Sequence, residues 1–523
     1  MKLNLLLSFI LFWFTNSSKA QIEQINVKHY KIDLTVDDIS DTINVSETIY
    51  FSHIDENKPI VFNLKSLNKF GKGMRVSKTT IDSKEIEFLH KNDSLYLFIE
   101  SSQEDKDYEI EISFKGVPID GLVIGENKFG NRTFFGDNWP NRAQNWFVCN
   151  DHLSDKASVD FIVHAPQQYT VVANGALVSV KKRKKIKTFH YSSMVPVPTK
   201  VMVVGIAQFS MDLAGIVNGT LVQSFTYPEN KEAAGKDLSL APDILDFYIS
   251  YIAPYEFEKL DNVQSTTRFG GMENAGCIFY DEDALNGTKS AESLIAHEIV
   301  HQWFGNSATE KDWPHLWLSE GFATYLTNIY IEKTKGDLAF KTQLEQDRKK
   351  VVNFDKRYHH PVVDIDHQSL MDLLNPNSYQ KGGWVLHMLR AEIGDELFQK
   401  CIQTYYRKYS RSNANSKDFQ YVVETVCNRD FSAFFNQWLH RAGHPKLQIT
   451  SRFENRRLSL EINQKEGIFS FPLKVEIKCT EGPIIQRRIQ VSQENTQKDI
   501  VTSYPITEVI IDPEVELLFE LVR

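Results

Sequence analysis

The chain has 523 residues, 42% of them hydrophobic, and its 59 Lys and Arg against 68 Asp and Glu give a formal net charge of −9. That length provides for roughly two to four domains with ample core, and the acidic balance argues against a nucleic-acid partner. Beyond the first twenty residues nothing approaches about 18 uninterrupted apolar residues, so the remainder is expected to be soluble, with no spanning helix.

Residues 1–20 open with Lys2, run apolar from Leu5 to Phe14 and end in Ser18-Lys19-Ala20. A positive start, a short apolar run and a small-x-small triplet predict a secretory signal cleaved after Ala20, too short to serve as a stable membrane anchor. The mature protein is therefore expected to be secreted or periplasmic. From Gln21 the stretches HYKIDLTVD, TINVSETIYFSHI, SLYLFIE, YEIEISFKG and ASVDFIVHA alternate or are dense in β-branched and aromatic residues, separated by Asn, Asp, Gly and Pro, which predicts short strands. The basic run KKRKKIK at Lys181–Lys187 lies between the strand-like TVVANGALVSV and TFHYSS and reads as an exposed hairpin turn rather than a polyanion site.

The pattern then changes. LSLAPDILDFYISYI, ESLIAHEIVHQWF, GFATYLTNIYIEK, GGWVLHMLRAEI, ELFQKCIQTYYRKY and FSAFFNQWLHRAG have helical length and periodicity. After Gly443-His444-Pro445 alternation returns in LQITSRF, RLSLEIN, PLKVEIKC, IIQRRIQVS and EVIIDP. The expected fold is multidomain α+β: an N-terminal antiparallel β domain over 21–221, a mainly helical domain over 222–443 and a small β-sandwich over 444–523. Five cysteines lack any CxxC spacing, so buried thiols are the default and a Cys401–Cys427 bridge stays open.

Within SLIAHEIVHQWF nearly every residue except Ser293, His297, Glu298, His301 and Gln302 is apolar. A helix apolar all round is buried, and a buried carboxylate beside two imidazoles is costly unless something compensates them. A cation does so: His297 and His301, at i and i+4, project from one face one turn apart, a spacing that suits tetrahedral Zn²⁺. The alternative is a core helix with two satisfied histidines, and a third ligand separates the two. The next helix, WPHLWLSEGFATYLTNIYIEKTKG, has Pro314 near its start, Lys333 and Lys335 in its last turn and Gly336 beyond. Glu320, in its first half, follows His301 after eighteen intervening residues. Two histidines and one carboxylate leave a fourth zinc position open, the pattern of a catalytic site.

HEIVHQWFGN and WLSEGFATYL, together with GGMENAG at Gly270–Gly276, resemble the gluzincin zinc aminopeptidases, the family of aminopeptidase N and the leukotriene hydrolase/aminopeptidases. The resemblance extends to Ser378-Tyr379-Gln380-Lys381-Gly382, to DNWPNRAQNWFVCNDHLSDKA and to NQWLHRAGHP, and so reaches all three expected domains. It implies a thermolysin-like catalytic domain, one zinc per chain on His297, His301 and Glu320, and peptide substrates with a free N-terminus. It makes Glu298 the general base, Tyr379 a donor to the oxyanion and Glu273 the group that binds the substrate's α-ammonium. Gly270, Gly271, Met272 and Asn274 would line the substrate strand. The chemistry agrees residue by residue. Glu298 follows a ligand directly and can reach the attacking water; a phenol stays protonated at neutral pH and so can donate; a carboxylate about one residue from the metal selects a terminal ammonium over an internal peptide.

The sequence also departs from the family. Gln144 stands where relatives commonly have arginine, and the glutamine that helps relatives grip the N-terminus has no clear counterpart, Asn138 being the nearest. No stretch matches the helical C-terminal region of either subfamily, which implies a more open site. Two rivals are an internal-cleaving metalloprotease, which GGMEN opposes, and a zinc-free binding scaffold, which the intact ligand set opposes. Epoxide hydrolysis is a further property of the leukotriene branch. His359-His360 reads as a surface turn.

Overall fold

Period-two alternation builds the N-terminal sheets. In Lys156–Pro166 every second side chain is buried, and Ile43–His53 buries its apolar residues on the same rule. The computed structural model describes residues 25–53, 59–99 and 106–522; the expected signal at 1–20 lies outside the described residues. The chain divides into two compact units. One takes the residues up to Ile249 with Pro254–Thr309 and Ser410–Asn413, the other Ser250–Ala253, Glu310–Tyr409 and Ala414–Arg523.

The first unit opens with an eight-stranded sheet ordered Ala176–Arg183, Ile186–Pro198, Lys156–Pro166, Ile25–Thr35, Ile43–His53, Asp107–Val117, Gly73–Ile81, Lys84–Glu85. Every neighbouring pair is antiparallel except Ile25–Thr35 with Lys156–Pro166. The basic run forms the exposed tip of the hairpin between the first two of these strands, as expected. A core of Ile32, Leu34, Phe51, Ile110, Trp146, Phe147 and Phe161 fills this domain. Glu47 is buried in it and accepts the Val148 N–H at 2.8 Å, and burial drives its pKa well above the usual carboxylate range.

A five-stranded sheet follows, ordered Ser210–Val217, Thr220–Thr226, Lys259–Ser265, Cys277–Asp281, Gly271–Met272. Its three central strands run parallel, inside a stretch the sequence pattern marks as helical. The strand Lys259–Ser265 is wholly buried yet reads KLDNVQS, so it shows neither alternation nor an apolar run. Most of its polar groups are satisfied instead: Lys259 Nζ donates to Ala173 O at 2.9 Å and pairs with Asp261, Gln264 accepts the Tyr227 N–H at 3.0 Å, and Asn262 accepts from Tyr280 Oη at 3.0 Å. The last strand, Gly271–Met272, is an antiparallel edge. Helix Glu292–Val300 completes the part of this unit that matters for chemistry.

The second unit carries helices Trp317–Lys335, Asp337–Asp355, Gly382–Ile393, Asp395–Tyr409, Ser416–Cys427 and Ser432–Leu439. A four-stranded sheet (Asn495–Val501, Arg457–Lys465, Lys446–Glu454, Glu520–Leu521) and a three-stranded one (Ile485–Val491, Phe471–Cys479, Ile506–Ile511) follow. Among the described residues no helix is long and apolar enough to cross a membrane. His359 and His360 are largely exposed and lie beside Asp355 and Asp364 respectively, a surface turn as expected.

Candidate active site

The helix Glu292–Val300 ends one residue before His301, so the two histidines flank its last turn. His297 Nε2 and His301 Nε2 lie 3.2 Å apart, with ring planes at 83°. Two imidazoles each about 2.0–2.1 Å from a tetrahedral Zn²⁺ would place their nitrogens about 3.3 Å apart, so the spacing fits a shared cation. His301 Nδ1 lies 3.0 Å from Phe304 O; donation to that carbonyl fixes the tautomer that presents Nε2 as a ligand. His297, His301 and Glu320 each offer one ligand atom, and these atoms all lie within 4.8 Å of one another. The set of two imidazoles and one carboxylate, with no thiolate, is the chemistry of a catalytic rather than a structural zinc site. No other such group of three occurs among the described residues.

Glu298 is 5% exposed and sits between the two histidines in sequence. Beside it runs the Gly270–Gly276 loop. A Cβ on Gly271 would stand 2.5 Å from Glu298 Cδ, so only glycine leaves the carboxylate its place. Tyr280, on the neighbouring strand, is fully buried, and burial first and the Glu298 charge second hold its phenol well above its usual pKa.

Glu273 is buried within the same loop, and its Oε1 has no hydrogen-bond partner. A buried carboxylate oxygen left without a donor is costly, and a cation from outside would complete it. Asn274 is likewise buried, with neither side-chain atom partnered. The loop backbone is held from several sides. Gly270 O accepts from Asp281 N at 3.0 Å and Ala275 N donates to Val201 O at 3.2 Å; Asn174 Nδ2 donates to Ala275 O at 2.7 Å.

Asn138 lies elsewhere in function. It is fully buried, its amide donates to Thr199 O at 3.0 Å and Met202 O at 2.5 Å, and its Oδ1 accepts from Trp146 Nε1 at 2.8 Å. Those bonds use both its N–H groups and its oxygen inside the N-terminal domain, so it is not open to a substrate.

In the second unit Glu320 occupies the first turn of Trp317–Lys335 and is 4% exposed. Tyr379 lies on a π-helical turn, Asn377–Lys381, that leads into helix Gly382–Ile393. Such turns recur at functional sites because they aim one side chain differently from the helix that follows. This turn and the Glu320 helix meet backbone to backbone, since a Cβ on Gly321 would stand 3.2 Å from Ser378 O and 2.9 Å from Cα of Gly382, which follows the turn. Two side chains that sequence reasoning left unassigned hold the turn. Lys381 Nζ donates to Gly443 O at 2.9 Å, and Asn377 Nδ2 donates to His360 O at 2.8 Å. Burial pushes the Lys381 pKa down to about 8, with Asp355 opposing. Gln302 and Asn306 play the same part for the Glu273 loop. Gln302, Asn306 and Lys381 stand inside motifs of the family resemblance and Asn377 directly precedes one; what hid their part is that their partners are main-chain atoms remote in sequence.

Comparisons with known proteins match most of the chain. The family model for the Peptidase M1 N-terminal domain matches residues 26–201, and that for the Peptidase family M1 domain matches residues 237–438. Similar proteins include aminopeptidase M1-C of Oryza sativa subsp. japonica, 30% identical over 337 residues that make up 62% of this chain and 38% of that protein. The leucyl aminopeptidase of Saccharolobus solfataricus is 25% identical over 77% of this chain and 54% of its own length. The glutamyl aminopeptidase of Sus scrofa is 26% identical over 66% and 39%. The chain thus spans between about two fifths and about half the length of these curated relatives.

Proposed function

The chain belongs to peptidase family M1, and on that premise we propose that it is a zinc aminopeptidase that removes the N-terminal residue from peptides. The observation that carries this reading is the buried carboxylate of Glu273, its Oε1 without a hydrogen-bond partner, on a loop that touches the Glu298 side chain. An anion held there is matched by the free α-ammonium of a peptide, and an acylated or internal residue has no charge to offer it.

Zinc held by His297, His301 and Glu320 would supply Lewis acidity, polarising the scissile carbonyl and acidifying water. Glu298 accepts the proton of the attacking water and returns it to the departing amine. Tyr379 donates its phenolic hydrogen to the oxyanion that develops as the carbonyl carbon becomes tetrahedral. The substrate backbone runs along the edge strand Gly271–Met272, whose outer side can pair with an added strand, with Gly270 and Asn274 beside it. The reading extends to location: residues 1–20 act as an export signal, and the mature enzyme begins at Gln21.

Hydrolysis of a panel of aminoacyl p-nitroanilides tests it. Turnover of the free-amine substrates, loss with a chelator, recovery with Zn²⁺ and resistance of the N-acetylated analogues are expected. Chelator-resistant turnover, or equal rates on acetylated and free substrates, would refute it.

A further inference from the structure

Gln302 and Asn306 take no part in the chemistry above, yet both direct buried side chains at one loop. Gln302 is 1% exposed, and its amide holds that loop at its middle and at its C-terminal end: Oε1 accepts from Gly276 N at 2.8 Å and Nε2 donates to Glu273 O at 2.9 Å. The same Nε2 lies 3.4 Å from Glu298 O. The assignment of amide oxygen and nitrogen is forced, because Gly276 N–H needs an acceptor and the Glu273 carbonyl needs a donor. Asn306, fully buried, gives that carbonyl a second donor at 2.6 Å. Its own main-chain N–H donates to His301 O at 3.1 Å. The turn that follows the second histidine is therefore bonded on one side to a candidate metal ligand and on the other to the residue that carries the free carboxylate.

We infer that Gln302 and Asn306 are positioning residues that hold the Gly270–Gly276 loop, and with it Glu273, in register with the helix of His297 and Glu298, so that cleavage is counted from the substrate's first residue. This rests on the reading of Glu273 as the α-ammonium site. The physical reason is geometric. Peptide backbones advance by about 3.3 Å per residue, and an ion pair that places the scissile bond at the base tolerates displacements well under that distance; a shift of about 1 Å costs on the order of 10²-fold. A loop held only by its own edge-strand bonds could slide. Bonds from a single amide to its middle and its C-terminal end tie it to the segment that follows the helix. Buried amides that serve only the core would lower stability on removal and leave substrate preference where it was, which gives the two roles different readouts.

The test compares kcat and KM for the best aminoacyl p-nitroanilide and its N-acetyl analogue in the full chain, with zinc content measured for each variant. Where the acetylated substrate is not turned over, inhibition constants for the free and acetylated amino-acid amide give the same ratio. Gln302→Met keeps the volume and removes every side-chain bond; Asn306→Asp replaces the donating NH₂ by an acceptor oxygen and so removes the bond to the Glu273 carbonyl. In both, the preference for the free amine should fall about 10- to 100-fold, chiefly through KM, with zinc still stoichiometric. Glu273→Gln supplies the reference loss. Preference lost in Glu273→Gln but retained in zinc-loaded Gln302→Met and Asn306→Asp would overturn the inference alone. Preference retained in Glu273→Gln would remove the α-ammonium reading and the inference with it. Should Gln302→Met fail to fold, Asn306→Asp decides by the same criterion.

Discussion

Glu298 and Gly271 form the most constrained pair of side chain and backbone in the site. The carboxylate occupies the volume that a Cβ on Gly271 would claim. Because the crowding atoms belong to a flexible side chain, Gly271→Ala should fold, displace the carboxylate and lower kcat about 10²-fold with little loss of stability; circular dichroism and steady-state kinetics on one preparation check this. Glu298→Gln keeps the shape and removes the proton acceptor, so zinc content should persist while the rate falls by about 10²–10⁴. Near-normal turnover would assign the base elsewhere. Tyr379→Phe removes one donor at a developing charge and should lower kcat about 10²–10³-fold; a change confined to KM would contradict the oxyanion role.

At the scale of elements, function depends on how irregular segments are held. The π-helical turn at Asn377–Lys381 is anchored from outside by its own last residue, Lys381, whose Nζ reaches the carbonyl of Gly443. Lys381→Met should loosen the turn, lowering kcat roughly tenfold with KM nearly constant if Tyr379 acts only after substrate is bound. The variant also has a signature in stability. The pKa of about 8 lies below that of a lysine in an unfolded chain. Between pH about 8 and about 10.4 the unfolded chain holds a proton that the folded one has released, so this group makes stability rise with pH across that window. Chemical denaturation at pH 7.5 and 9.5 should show the rise in the wild type and a smaller one in Lys381→Met.

For the protein as a whole, acid sensitivity should centre on His387. It is buried in helix Gly382–Ile393, with Nδ1 2.8 Å from Tyr325 Oη and Nε2 2.9 Å from Val515 O. It thereby joins two helices to the segment between the last two strands of the second unit through a neutral ring that accepts on one side and donates on the other. Burial pushes its pKa down to about 3. Between pH about 6.5 and about 3 the unfolded chain binds a proton that the folded one refuses, so the stability present above pH 6.5 is lost as pH falls. Thermal melts at saturating Zn²⁺ should show a transition that drops over this window, and His387→Gln should flatten the slope; an unchanged slope would place the acid sensitivity elsewhere.

The sequence by itself determined the chemistry and most of the elements. HExxH at helical spacing in an apolar helix is costly without a cation, and the next helix offers a third candidate ligand in Glu320; alternation marks the N-terminal and C-terminal strands because one face of each is wet. These signals are local, and local spacing is what a linear string records. It did not record the buried strand Lys259–Ser265, whose polar residues find partners inside the protein and so break the apolar pattern expected of a core. Nor did it record that Asn138 is fully bonded within its own domain while Gln302 and Asn306 grip a loop some thirty positions back. A side-chain amide looks the same in sequence whether its partner is a ligand, a distant carbonyl or water. Only the tertiary structure decides which, because a hydrogen bond is set by distances of about 3 Å between atoms that the chain brings together from remote positions.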